Sequence, residues 1–106
     1  MWKVEGNDLT MSVGDFGLSL PVLIDGVTLS SGQDEIGIKI VNSLGEKVLE
    51  KVYSDFTDNE FSFVISESET QGLQVGEYVY GLDWYRNGVF MCNIISRANF
   101  RVVKKV

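Results

Sequence analysis

Apolar and polar residues alternate along most of this chain with a period of two, the mark of strands with one face buried. Ile36, Ile38 and Ile40 share one parity with Gly37, Lys39 and Val41 interleaved, and Phe61, Phe63 and Ile65 do the same around Ser62 and Val64. Both triplets are expected to face one core. Apolar spacing of three and four is hard to find over any long window, so helix is not the dominant element. The pattern predicts strands near 2–5, 8–13, 16–24, 35–42, 46–54, 60–66, 76–86, 89–96 and 99–104. Turn-forming groups mark their limits: Gly6-Asn7-Asp8, Gly14-Asp15, Asp25-Gly26, Ser31-Gly32, Ser43-Leu44-Gly45, Asp58-Asn59 and Asn87-Gly88.

Pro21 lacks a ladder donor, so its strand is expected at an edge or broken there. Ser66 and Glu69 stand at capping-box spacing, and SESETQG (66–72) is expected to make one helical turn as the chain crosses between sheets. Short strands, tight turns and no long helix predict an all-β fold, a two-sheet sandwich of about seven to nine strands, with a small closed barrel as the alternative.

The hairpin around Asn87-Gly88 admits two registers. A two-residue loop pairs Tyr85 with Phe90 and places Tyr80, Leu82 and Trp84 beside Met91, Asn93 and Ile95. A three-residue loop, Arg86 to Gly88, pairs Trp84 with Phe90, Leu82 with Cys92 and Tyr80 with Ile94, which unites the large apolar groups on one face. Because a one-residue slip turns a strand's side chains over, the second register is expected, with Gly88 left-handed at a bulge. Tyr80, Leu82, Trp84 and Phe90 then form a wall of the core. The opposite face carries Val79, Tyr85, Val89, Met91 and Ile95 beside Gly81, Asp83 and Asn93, and is the candidate protein interface. Upstream, Leu73-Gln74-Val75-Gly76-Glu77-Tyr78 has the form of a tyrosine corner, in which the Tyr78 hydroxyl bonds back to upstream backbone.

With 106 residues the chain suits a single domain, residues 1–106, whose core requires no metal or disulfide. A net charge of −6 repels phosphate and argues against nucleic acid as a partner. Arg97, Arg101, Lys104 and Lys105 form a local basic cluster that is expected to solubilise an edge or tail. Cys92, the single cysteine, has no intramolecular partner and is expected as a small buried hydrophobe. Neither a signal-peptide run nor a stretch of membrane-span length is present, so the expected product is made in the cytoplasm with no membrane insertion.

Candidate chemistry is sparse. Without histidine the chain lacks the commonest general base and metal ligand, and a lone cysteine cannot build a zinc site. Two acidic groups, Asp55/Asp58/Glu60 and Glu67/Glu69, lie in apparent turns, and neither has calcium-loop spacing. No glycine loop suited to cradling phosphate occurs. Catalysis, a cofactor and a metal are therefore not expected.

A family resemblance adds to this. The early Gly14-Asp15, DEIGIKIVN at 34–42, EFSFVISESET at 60–70 and LQVGEYVYGLDWYRNG at 73–88 resemble, in order and spacing, the N-terminal domain of phage baseplate upper proteins. The resemblance implies an immunoglobulin-like antiparallel β-sandwich and a non-enzymatic virion structural role. Its partners would be other tail or baseplate proteins and, as a homo-oligomer, further copies of itself. The resemblance brings no catalytic residue. Members commonly run on past this domain, so what it implies for residues 1–106 is attachment or assembly rather than receptor carriage. The competing function is an immunoglobulin-like carbohydrate-binding or adhesion module, for which Trp2, Tyr53 and Tyr85 are the rings that could stack on sugars.

Overall fold

A computed structural model describes residues 2–12, 17, 19–66, 68–69 and 73–104. Among the described residues eight strands follow in order: β1 (Lys3–Glu5), β2 (Asp8–Ser12), β3 (Leu20–Leu23), β4 (Asp34–Val41), β5 (Lys47–Tyr53), β6 (Glu60–Phe63), β7 (Gly76–Arg86) and β8 (Val89–Val103). No α-helix occurs among the described residues, and no helix is long and apolar enough to cross a membrane. Two stretches read as separate strands, 89–96 and 99–104, are the single strand β8. The turn expected at Gly14-Asp15 lies outside the described residues, as does the greater part of 66–72.

The strands form a sandwich of unequal layers. One sheet has six strands in the order β1-β2-β8-β7-β4-β5, and the other pairs β3 with β6. The run β8-β7-β4-β5 opposite β3-β6 is the arrangement of immunoglobulin-type sandwiches, with β7 and β4 as the inner strands of that run. Every pair is antiparallel except β2 with β8, which run parallel and make the sheet mixed. Pro21 sits in β3, whose only strand neighbour among the described residues is β6. The missing N–H therefore breaks no ladder in a central strand.

Between the layers lie Ile36, Ile38 and Ile40 of β4, Tyr80, Leu82 and Trp84 of β7, and Phe61, Phe63 and Ile65 from the small sheet. Met11, Phe100 and Val102 extend this core towards the β2–β8 side. The aromatic groups interlock at ring distances where offset and edge-on contacts are favourable, Tyr53 stacking on Phe61 at 4.6 Å and Trp2 meeting Phe63 at 5.6 Å. Trp2 and Tyr53 are thus packed at the rim of the core.

Local hydrogen bonds set the corners. The Tyr78 hydroxyl donates to the Gln74 carbonyl at 2.8 Å, which is the geometry of a tyrosine corner where the chain enters β7. At the small-sheet crossover the Ser66 N–H and hydroxyl both donate to Glu69 Oε1 at 2.9 Å, and Lys51 Nζ reaches the same oxygen at 3.0 Å. Burial alone would raise the pKa of Glu69, but these donors more than offset it and hold the group below its ordinary range.

Candidate protein interface

The pairing of β7 with β8 decides which side chains face outward, and it follows neither simple register. Next to the turn, Arg86 pairs with Val89 and Tyr85 with Phe90, as a two-residue Asn-Gly loop requires. Asn87 and Gly88 both have positive φ, 52° and 79°, which suits a type I′ turn. The expected three-residue loop is therefore corrected. A two-residue loop matches the right-handed twist of the flanking strands, and the strand mends its own parity further on.

It does so with bulges. Trp84 pairs with Cys92, leaving Met91 as an extra residue, and Leu82 pairs with Ile95 after Asp83 with Asn93, leaving Ile94 extra. Between Leu82–Ile95 and Tyr80–Ala98, Gly81 alone stands against Ser96 and Arg97. A Cβ on Gly81 would lie 3.0 Å from the Ile95 carbonyl oxygen and 3.3 Å from that of Ser96, so the close approach of β8 here requires glycine.

Paired residues point to the same side of a sheet, and the five candidate interface residues are consequently divided. Val79 and Tyr85 lie on the outer face of the large sheet. Ile95 does not: it pairs with buried Leu82 and packs against the core. Val89 pairs with Arg86 at the hairpin end, and Met91 occupies a bulge; both are exposed, at 62% and 44%. Phe90, expected in the core, pairs with Tyr85 on the outer side, is 51% exposed and meets the Tyr85 ring edge-on at 5.7 Å. Cys92 is exposed rather than buried, because the whole of β8 from Val89 to Asn93 lies beyond the cover of the two-stranded sheet.

Val52 of β5, 59% exposed, joins this corner. It pairs with Gly37, which pairs in turn with Asp83, and Gly37 presents no side chain between Val52 and Tyr85. The result is a hollow of about 250 Å³ bordered by Glu35, Lys39, Glu50, Val52, Asp83 and Tyr85. A larger hollow of about 600 Å³ lies at the opposite end of the same face. Arg97, Asn99 and Arg101 of β8, Val79 of β7, Val41 of β4 and the turn 42–45 line it. Arg101 pairs with Glu77 at 2.9 Å beside it.

One buried cluster anchors the hairpin end. Asp34 is fully buried at the start of β4, and its Oδ1 accepts from Trp84 Nε1 and Arg86 Nε, both at 2.8 Å. Oδ2 accepts from the Ser30 N–H at 2.7 Å and from an Arg86 terminal nitrogen at 3.3 Å. Arg86 also donates to the Thr28 carbonyl at 3.0 Å and stands 5.1 Å over the Trp84 ring. The Arg86 hydrogen bonds dominate, and with Ser30 and Trp84 they outweigh the cost of burial and hold Asp34 at about 2. Period-two reading gave no warning of this cluster. The nearest sequence signal is an acid and a base sharing parity with apolar neighbours, Asp34 before Ile36 and Arg86 after Trp84.

Among the described residues no group of three acidic, histidine or cysteine side chains is gathered for a metal ion; Glu67 lies outside them. Tyr80 hydroxyl donates to the Asn7 carbonyl, and burial, with the charge of Asp8, pushes its pKa up to about 12. It serves as a neutral strut between β7 and the β1–β2 turn. No family model, no curated protein and no solved structure matches the chain.

Proposed function

We propose that this domain is a non-enzymatic structural module of a phage or prophage tail or baseplate, attached to its neighbours through the outer face of its large sheet. The observation that supports attachment is the apolar corner formed by half-buried Tyr85, its ring against exposed Phe90, with exposed Val52 across Gly37 and exposed Met91 following Phe90 in β8. An outer sheet face normally carries polar groups, and a contiguous apolar patch marks a contact surface. The virion setting is supported by the sequence resemblance to baseplate upper proteins. The test is mass spectrometry of isolated phage particles. Wild-type chain is expected in the particle, and Tyr85→Glu with Met91→Glu is expected to remove it while leaving the purified domain folded. A chain absent from particles in the wild type overturns the assignment.

The second reading, an immunoglobulin-like carbohydrate-binding or adhesion module, is favoured by one arrangement. Tyr85 borders a hollow that also holds Glu35, Glu50 and Asp83, so a ring face and acceptors stand together as a sugar requires. Trp2 and Tyr53 are packed against other rings and do not extend that platform. Glycan-array binding abolished by Tyr85→Ala supports this reading, and an array without hits removes it.

A further inference from the structure

The outer face is asymmetric in charge and in relief along the strand direction. At its hairpin end stand the acids Glu35 and Asp83 with the apolar groups Tyr85 and Phe90. At its other end Arg97 and Arg101 line the 600 Å³ hollow floored by Val41 and Val79, together with Glu77, which pairs with Arg101 at 2.9 Å, while the Asn99 N–H donates to Asp8 at its margin. Glu50 and Lys39, paired across β5 and β4, also border the hairpin-end hollow, and Glu50 holds Lys47 at 2.9 Å, so that hollow is lined by three acids and one base. Rotating the face by half a turn about an axis across its strands exchanges the two ends. A face of this kind is complementary to itself.

We infer that the outer face closes on the same face of a second copy with the strands reversed, the Tyr85–Phe90 corner of each copy seated in the Arg97-lined hollow of the other. This rests on the outer face being a contact surface, as proposed above, and names the occupant. A twofold interface makes each contact twice, so one knob, one hollow and one opposed charge set per chain suffice. Arg97 is brought against Asp83 and Glu35 of the second copy, an arrangement that sets the register and opposes the general repulsion between two chains of net charge −6. The apolar corner loses water in the hollow and supplies the favourable term.

The experiment is sedimentation equilibrium of the purified chain and its variants up to a concentration on the order of 0.5 mM, each variant checked for folding by thermal melting. The wild type is expected to dimerise, more weakly at high salt because the opposed charges lie near solvent. Arg97→Glu and Asp83→Arg singly are each expected to weaken the dimer about tenfold or more, the equivalent of about 1.4 kcal/mol. The double variant is expected to restore it, and Glu35→Arg with Arg97→Glu provides a second swap should Asp83→Arg disturb its bond to Asn93. A monomeric wild type, or a dimer indifferent to both swaps, overturns the inference. If such a monomer still enters phage particles and Tyr85→Glu still excludes it, the second copy is ruled out as occupant while the assembly function stands.

Discussion

Strand β7 meets its two neighbours in different ways. With β4 it pairs through eight consecutive residues, Asp34 to Val41, without a slip. With β8 the register shifts at three places along the hairpin. The difference follows from the side chains. Ile36, Ile38 and Ile40 lie beside Trp84, Leu82 and Tyr80, all buried, so moving either strand by one residue would turn a complete apolar set out to water. In VFMCNIISR (89–97) polar and apolar residues do not alternate, no single register buries the apolar ones, and bulges divide them between the faces. A central strand is thus fixed by burial on one side and left adjustable on the other, and the adjustable side carries the candidate interface.

The comparison breaks most visibly at the core. Ile38→Ala is expected to cost about 3–4 kcal/mol, as large-to-small changes at fully packed sites do, and Ile95→Ala about 1–2 kcal/mol because its surroundings are half open. Urea unfolding of both variants with a shared slope measures this, and equal costs would mean that β8 is held as firmly as β4.

A smaller effect is expected where the β4 and β7 ends are locked. Asp34 has an ordinary value of 3.8 and is held at about 2 in the folded chain, so its ionised form favours folding. That contribution is complete above about pH 4 and is lost as pH falls through 2. Asp34→Asn keeps the shape and loses the charge, and is expected to cost about 2 kcal/mol at neutral pH. Melting temperatures recorded from pH 5 to pH 2 should fall more steeply for the wild type than for the variant, and parallel curves would show that Asp34 does not lock this end.

The smallest effect belongs to the hairpin loop. Gly88 has φ of 79°, where a Cβ is strained although open space surrounds it. Gly88→Ala should therefore cost about 1 kcal/mol. Its effect is expected to stay local, with amide exchange rising near 85–90 and unchanged in β4. Faster exchange throughout β4 would show that the turn sets the register of the whole sheet.

Much of the fold was legible in the chain because alternation survives wherever one face is buried. The β4 triplet, the β7 triplet and the Phe61–Ile65 run all face the core as their parity requires. Seven of the nine predicted strands keep their identity within a few residues, and 89–96 and 99–104 merge because a bulged strand looks interrupted to a test for strict alternation. The candidate interface was legible only in part. Val79 and Tyr85 lie on the outer face because β7 is regular, whereas Ile95 turns inward and Phe90 outward because β8 is not.

Local chemistry determined the strands, their inward residues on β4 and β7, the left-handed turn at Asn87-Gly88 and the place of Tyr78 at a corner. Each depends on neighbours in the chain, where periodicity and steric preference act directly. The tertiary structure alone decided the bulged register of β8, the exposure of Phe90 and Cys92, and the convergence of Asp34, Trp84 and Arg86 from positions some fifty residues apart. Those outcomes depend on how far a two-stranded sheet reaches across a six-stranded one and on which buried polar groups find partners. Both are properties of packed layers rather than of any window of sequence.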